Sequence, residues 1–168
     1  MKQESKDFLL LHFIVLIWGF TAILGLLITI PPVEVVFYRT GLAAFALLII
    51  LRFRKTRMRL ANGGDLLKTL FVGLLIAAHW ILFFLSARVS NASVCLAGMA
   101  TCSLWTSLLE PIYFRKKVRR FEVILSLFAF VGMIIIFNVE FRYVLGLSLA
   151  LVSAFLSAWF TVINANLI

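Results

Sequence analysis

The sequence is poor in acidic residues, in cysteine and histidine, and in polar chain between its apolar runs. Seven carboxylates stand against 16 Lys and Arg, and charged residues of both signs make up only 14% of 168. So little charge excludes an ordinary soluble domain, and an apolar content of 64% with a mean hydropathy of +1.12 points to a chain that lives in lipid. The two cysteines, Cys95 and Cys102, stand seven residues apart, or about 10 Å along one helix, too far to bridge to each other. Small core packing is their ordinary use. His12 and His79 have no second histidine nearby, and no metal-ligand spacing, phosphate loop or nucleophile elbow is present. Neither an enzymatic step nor a metal or other cofactor is therefore expected. There is also no low-complexity tract and no soluble segment, which confines the function to the membrane or its two faces.

Continuous apolar runs fill the space. Six spans are read at 8 to 30, 33 to 51, 67 to 87, 92 to 114, 121 to 139 and 144 to 168, each near the ~20 residues that cross ~30 Å of hydrocarbon. A β-barrel would alternate polar and apolar positions, and these runs do not, so internal helical bonding must satisfy the backbone. The expected fold class is an all-α membrane protein, a polytopic helical bundle. The first run is too long for the core of a cleavable signal and is expected to remain as an anchor.

Charge sets the orientation. Arg52, Arg54, Lys55, Arg57, Arg59 and Lys68 bracket one connection, and Arg115, Lys116, Lys117, Arg119 and Arg120 fill another two spans later. Both clusters lie on one side, which the positive-inside rule makes the cytoplasm, together with Lys2, Lys6 and the N-terminus. Only Arg88 and Arg142 occupy opposite connections. Basic stripes between spans imply contact with anionic headgroups rather than with nucleic acid. Turn signals agree with the spans: Pro31-Pro32, Ala61 to Asp65 with Asp65 as a helix cap, Ser90-Asn91, and Asn138, Glu140 and Arg142.

A weak internal echo links the first and last runs. Ile17-Trp18-Gly19-Phe20-Thr21-Ala22 has a counterpart in Leu156-Ser157-Ala158-Trp159-Phe160-Thr161-Val162. With an odd number of spans between them, the copies cross the bilayer in opposite senses, as in inverted-repeat transporters. The expectation is one five-helix unit and the first helix of a second, at the front of a ten-helix protein.

Trp18-Gly19-Phe20-Thr21, Arg39, the basic loop, His79-Trp80-Ile81-Leu82-Phe83-Phe84 with Ala87, and Ser90-Asn91-Ala92-Ser93-Val94 together resemble the EamA domain of the drug/metabolite transporter superfamily. The resemblance covers 8–139 as one five-helix domain, with 140–168 similar to the start of a second, inverted one, apparently truncated. It implies a permease of the bacterial inner membrane that moves a small metabolite, amino-acid-like or related, often outward, completed by a C-terminal half or a homodimer partner. The chain departs from the family pattern at Leu26, Ser103 and Lys116, where members often carry lysine, proline and glutamate.

Several residues are costly to bury and therefore informative. Arg39 lies about 9 Å inside the outer edge, where a guanidinium needs a partner, water or a route to the interface. It either receives a carboxylate or phosphate of a substrate, or else snorkels to the outer headgroups or pairs with Glu34. His79, near mid-membrane, either hydrogen-bonds a ligand or relays protons, or else bonds a neighbouring helix. Glu110 is a second candidate for ion coupling, against an ion pair with the 115 to 120 cluster. The fourth span, with Ser93, Gly98, Thr101, Ser103, Thr106 and Ser107 before Pro111, is expected inside the bundle and kinked at the proline. A cavity walled by spans one, three and four is expected to hold the substrate among Trp18, Thr21, Trp80, Thr101 and Trp105. A non-transporting membrane subunit, or an embedded enzyme using His79 and Glu110, are the alternatives.

Overall fold

The computed structural model describes residues 3–55, 63–139 and 141–165, with side chains placed for 4–55, 63–135 and 142–165. Every regular element among them is helical: α1 (Gln3–Leu27), α2 (Pro32–Phe53), α3 (Gly63–Val89), α4 (Ala92–Met99), α5 (Cys102–Phe114), α6 (Arg120–Val139) and α7 (Val144–Asn164), with a 3-10 turn at Phe141–Tyr143. Glu4–Leu27, Pro32–Phe53, Gly63–Val89, Ala92–Phe114 and Val144–Asn164 are long and apolar enough to span a bilayer. The remaining long helix, α6, has 20 residues and is mainly apolar from Val123 onward, with Ser126 and Asn138 as its polar positions there. Lys2, Arg57, Arg59, Ala61-Asn62, Glu140 and the last residues of the sixth run, 166–168, lie outside the described residues, as does the side chain of Asn138.

Local chemistry sets the ends of these helices. Pro31 caps α2 and Pro32 takes its first position, where the missing N–H costs nothing. At the start of α4 the Asn91 side chain accepts from the Val94 N–H at 2.8 Å, confirming the Ser90-Asn91 turn. Asp65 is not a cap, since α3 already runs from Gly63 and Asp65 sits in its first turn. The chain leaves α5 through Arg115 in a left-handed conformation (φ 52°), with the Lys116 N–H closing on the Pro111 carbonyl at 3.0 Å.

The fourth span departs from its expected form. Instead of one helix with a kink at Pro111, α4 and α5 are separated at Ala100-Thr101. There the Thr101 N–H turns to the Gly98 carbonyl (3.2 Å), which also accepts the Thr101 hydroxyl (2.7 Å). The threonine competes for the carbonyl one turn back and tightens the ladder.

The last helix, α7, occupies the middle of the bundle, packed on α3, α4 and α5, while α1 and α2 lie against α3 at the edge. Small residues allow the close approach. Ala150, Ala154 and Ala158 are fully buried along α7; a side chain at Gly98 would meet Ala150, and one at Gly146 would meet Ser90. The Ser86 hydroxyl donates to the Gly146 carbonyl across the same seam at 2.6 Å. A second cluster, of Ala22, Val35, Val36, Phe83, Phe84 and Cys95, joins α1 and α2 to α3 and α4. Gly25 belongs there because the Phe84 ring occupies the space its side chain would take.

Candidate functional site

A cavity of about 640 Å³ opens between α1, α3, the α4–α5 break and α7. From α1 come Trp18, Gly19 and Thr21; from α3, His79, Trp80 and Phe83; from the break, Met99, Ala100 and Cys102; from α7, Ser157 and Phe160. Irregular backbone inside a bilayer is tolerated where it lines a cavity or is buried in protein, and the interrupted helix does the former. None of the residues lining the cavity is charged. The helical periods explain the set: Trp18 and Thr21 are one turn apart, as are Phe83 and the adjacent pair His79-Trp80, and Ser157 and Phe160.

His79 is 5% exposed and ringed by aromatics, with Trp80, Phe160 and Phe83 at centroid distances of 5.1, 5.6 and 6.3 Å. Its Nδ1 lies 2.9 Å from the Ser153 carbonyl oxygen and 2.9 Å from the Ser153 hydroxyl. The same hydroxyl lies 2.9 Å from the His79 carbonyl, to which it donates. The expectation of a bond to a neighbouring helix is met, and His79 is among the residues that line the cavity.

Arg39 approaches from α2, with its guanidinium carbon 3.7 Å from the centre of the Trp80 ring and 5.8 Å from that of Phe84. No carboxylate among the described residues lies within ion-pair distance, so the pairing with Glu34 is not made. The charge is instead held by ring faces, on a tryptophan that itself lines the cavity.

The other expected site residues are elsewhere. Thr101 is 1% exposed and committed to Gly98. Trp105 packs edge-on against Phe155 at 5.3 Å, and its Nε1 is the one buried side-chain nitrogen or oxygen without a partner among the described residues. Glu110 pairs with Lys116 at 3.9 Å and faces a separate groove of about 430 Å³ between α5 and α6, with Glu122 and Ser126. His79 and Glu110 are thus not brought together. Cys95 is buried and Cys102 partly buried, and both are free thiols.

Ser157 and Phe160 were legible only in the echo of α1, both copies of which contribute to the cavity lining. Met99 and Cys102 had no signal beyond their neighbourhood to Thr101. Among known proteins, the model of the EamA-like transporter family matches residues 6–138. No curated protein and no solved structure matches.

Proposed function

Because the chain belongs to the EamA-like transporter family, within the drug/metabolite transporter superfamily, we propose that its cavity is the substrate site of an alternating-access permease for a small organic metabolite. The observation carrying this reading is the convergence of a broken helix, an aromatic box and one imidazole on a space without charge. A pocket of this kind holds an apolar body by packing and orients it through few polar groups. Arg39, stacked on Trp80 at 3.7 Å, supplies a guanidinium with free donors for a carboxylate or phosphate of the same molecule. The substrate is amino-acid-like or related, and the direction outward.

The proposed setting is a bacterial inner membrane with the N-terminus in the cytoplasm, in keeping with the basic connections. We further propose that 8–139 forms one five-helix repeat and that α7 opens a second, inverted one, supported by the echo and by the presence of both copies in the cavity lining. The wide exposure of Trp18 and Phe37, at 66% and 72%, suits a surface covered by a C-terminal half or by a second copy. Transport is favoured over an enzyme built on His79 and Glu110, since those residues line different spaces.

The test compares small molecules released by cells expressing the natural full-length protein, its Arg39→Lys form and its Trp80→Ala form at equal membrane abundance. Wild type should enrich at least one metabolite outside, and both variants should lose about tenfold of that flux, because an ammonium cannot reproduce the bidentate fork and the ring holds the guanidinium. Equal flux for Arg39→Lys would make Arg39 an anchor, and no enrichment over an empty vector would favour a non-transporting subunit.

A further inference from the structure

We infer that Ser153 holds His79 in its Nδ1–H tautomer, so that Nε2 is presented to the cavity as a hydrogen-bond acceptor and the site selects ligands that bring a donor to it. The inference rests on the cavity being a substrate site and names the recognition rule of that site.

The bonding pattern allows one neutral assignment. A carbonyl oxygen only accepts, and Nδ1 lies 2.9 Å from that of Ser153, so Nδ1 must carry the hydrogen there. The Ser153 hydroxyl has one proton and lies 2.9 Å from both the His79 carbonyl and Nδ1. If Nδ1 is protonated, the hydroxyl gives its proton to the His79 carbonyl and every contact pairs a donor with an acceptor. The opposite tautomer would force the hydroxyl proton onto Nδ1, leaving lone pair against lone pair at both carbonyls. Ser153 is fully buried, so water cannot relieve that conflict.

The other ring nitrogen then carries the lone pair. Nε2 has no partner among the described residues, and it is not sealed in the interior, because Trp105 Nε1 is the one buried and unsatisfied side-chain atom there. His79 lines the cavity, whose other side chains with an N–H, hydroxyl or thiol are those of Trp18, Thr21, Trp80, Cys102 and Ser157, and the inference gives Nε2 that space. A ligand donor such as an amine, hydroxyl or ring N–H meets an acceptor held at fixed depth. The same shape without a donor leaves Nε2 stripped of water and unpaired.

The experiment uses the full chain in lipid nanodiscs with ¹⁵N-labelled histidine, the His79 signals being those that His79→Asn removes, at a pH where the spectrum shows neutral imidazole. His79 should show a protonated Nδ1 and a bare Nε2. Indole and 1-methylindole then serve as probes of equal character that differ in one N–H. Indole should shift the Nε2 resonance and bind about tenfold tighter than its methylated form, the loss expected for an unpaired buried acceptor. His79→Asn keeps a side-chain amide for the Ser153 carbonyl but removes the cavity acceptor, so it should retain thermal stability and bind the two probes alike. An Nε2–H tautomer overturns the inference, as does equal affinity of the probes for wild type or a preserved preference in His79→Asn. Equal binding leaves the cavity reading intact, whereas failure of both probes to bind removes that reading along with the recognition rule.

Discussion

Helices α1 and α3 reach the same hydropathy over their spans, yet 11% of the α1 span is buried inside the protein and 39% of the α3 span. On α1, Phe8, Trp18 and Leu27 are exposed to 65, 66 and 73%. On α3, His79, Phe83, Phe84, Ser86 and Ala87 are buried against neighbours. In lipid an apolar side chain gains little by meeting another helix rather than a hydrocarbon tail, so hydropathy sends both helices into the bilayer without deciding which is enclosed. What encloses α3 is its seam with α7, where glycine and alanine permit backbone approach and serine and histidine bond across.

The contrast breaks first at the glycines. Gly146→Leu forces a side chain into Ser90 and onto the Ser86 carbonyl at the end of α3 and should cost about 3 kcal/mol, the upper range of overpacking in a tight core, measured by unfolding in mixed micelles. A result within about 0.5 kcal/mol of wild type would mean that the seam is not where stability resides. Next comes the clamp: Ser153→Ala removes the hydroxyl given to the His79 carbonyl and should cost about 0.6 to 1.7 kcal/mol, from the average to the largest value for interhelical bonds in membranes. Its proper control is Ser148→Ala, since Ser148 is exposed and bonds only one turn back on its own helix.

The edge of the bundle should respond least. A methyl added at Gly41 on α2 meets nothing within 4 Å, so Gly41→Ala should leave stability within about 0.5 kcal/mol. Trp18→Ala is expected to be as mild for folding and yet to reduce substrate binding, because Trp18 lines the cavity while being mostly exposed. A large loss of stability from Trp18→Ala would show α1 to be held as firmly as α3, and the comparison between them would fail.

Long-range and local signals divide the outcome. The helical spans were legible, because span length acts through neighbouring residues alone. Helix ends were legible where a proline or an Asx cap acts locally, as at Pro32 and Asn91, and misread at Asp65. The break at Ala100-Thr101 was not foreseen: Pro111 is the stronger breaker by type, but the Thr101 hydroxyl captures Gly98. The cavity was expected from the first, third and fourth spans, and α7 added Ser157 and Phe160 to it.

Trp105 and Thr101 drew attention by residue type, and packing turned both away from the cavity. Sequence by itself determined that this chain crosses a membrane as a helical bundle, since hydrophobic length is a sum over adjacent residues. Tertiary structure alone decided that α7 fills the centre and that His79 meets Ser153. Which helices approach closely depends on the fit of small residues far apart in the chain, and in lipid no hydrophobic gradient points to that fit in advance.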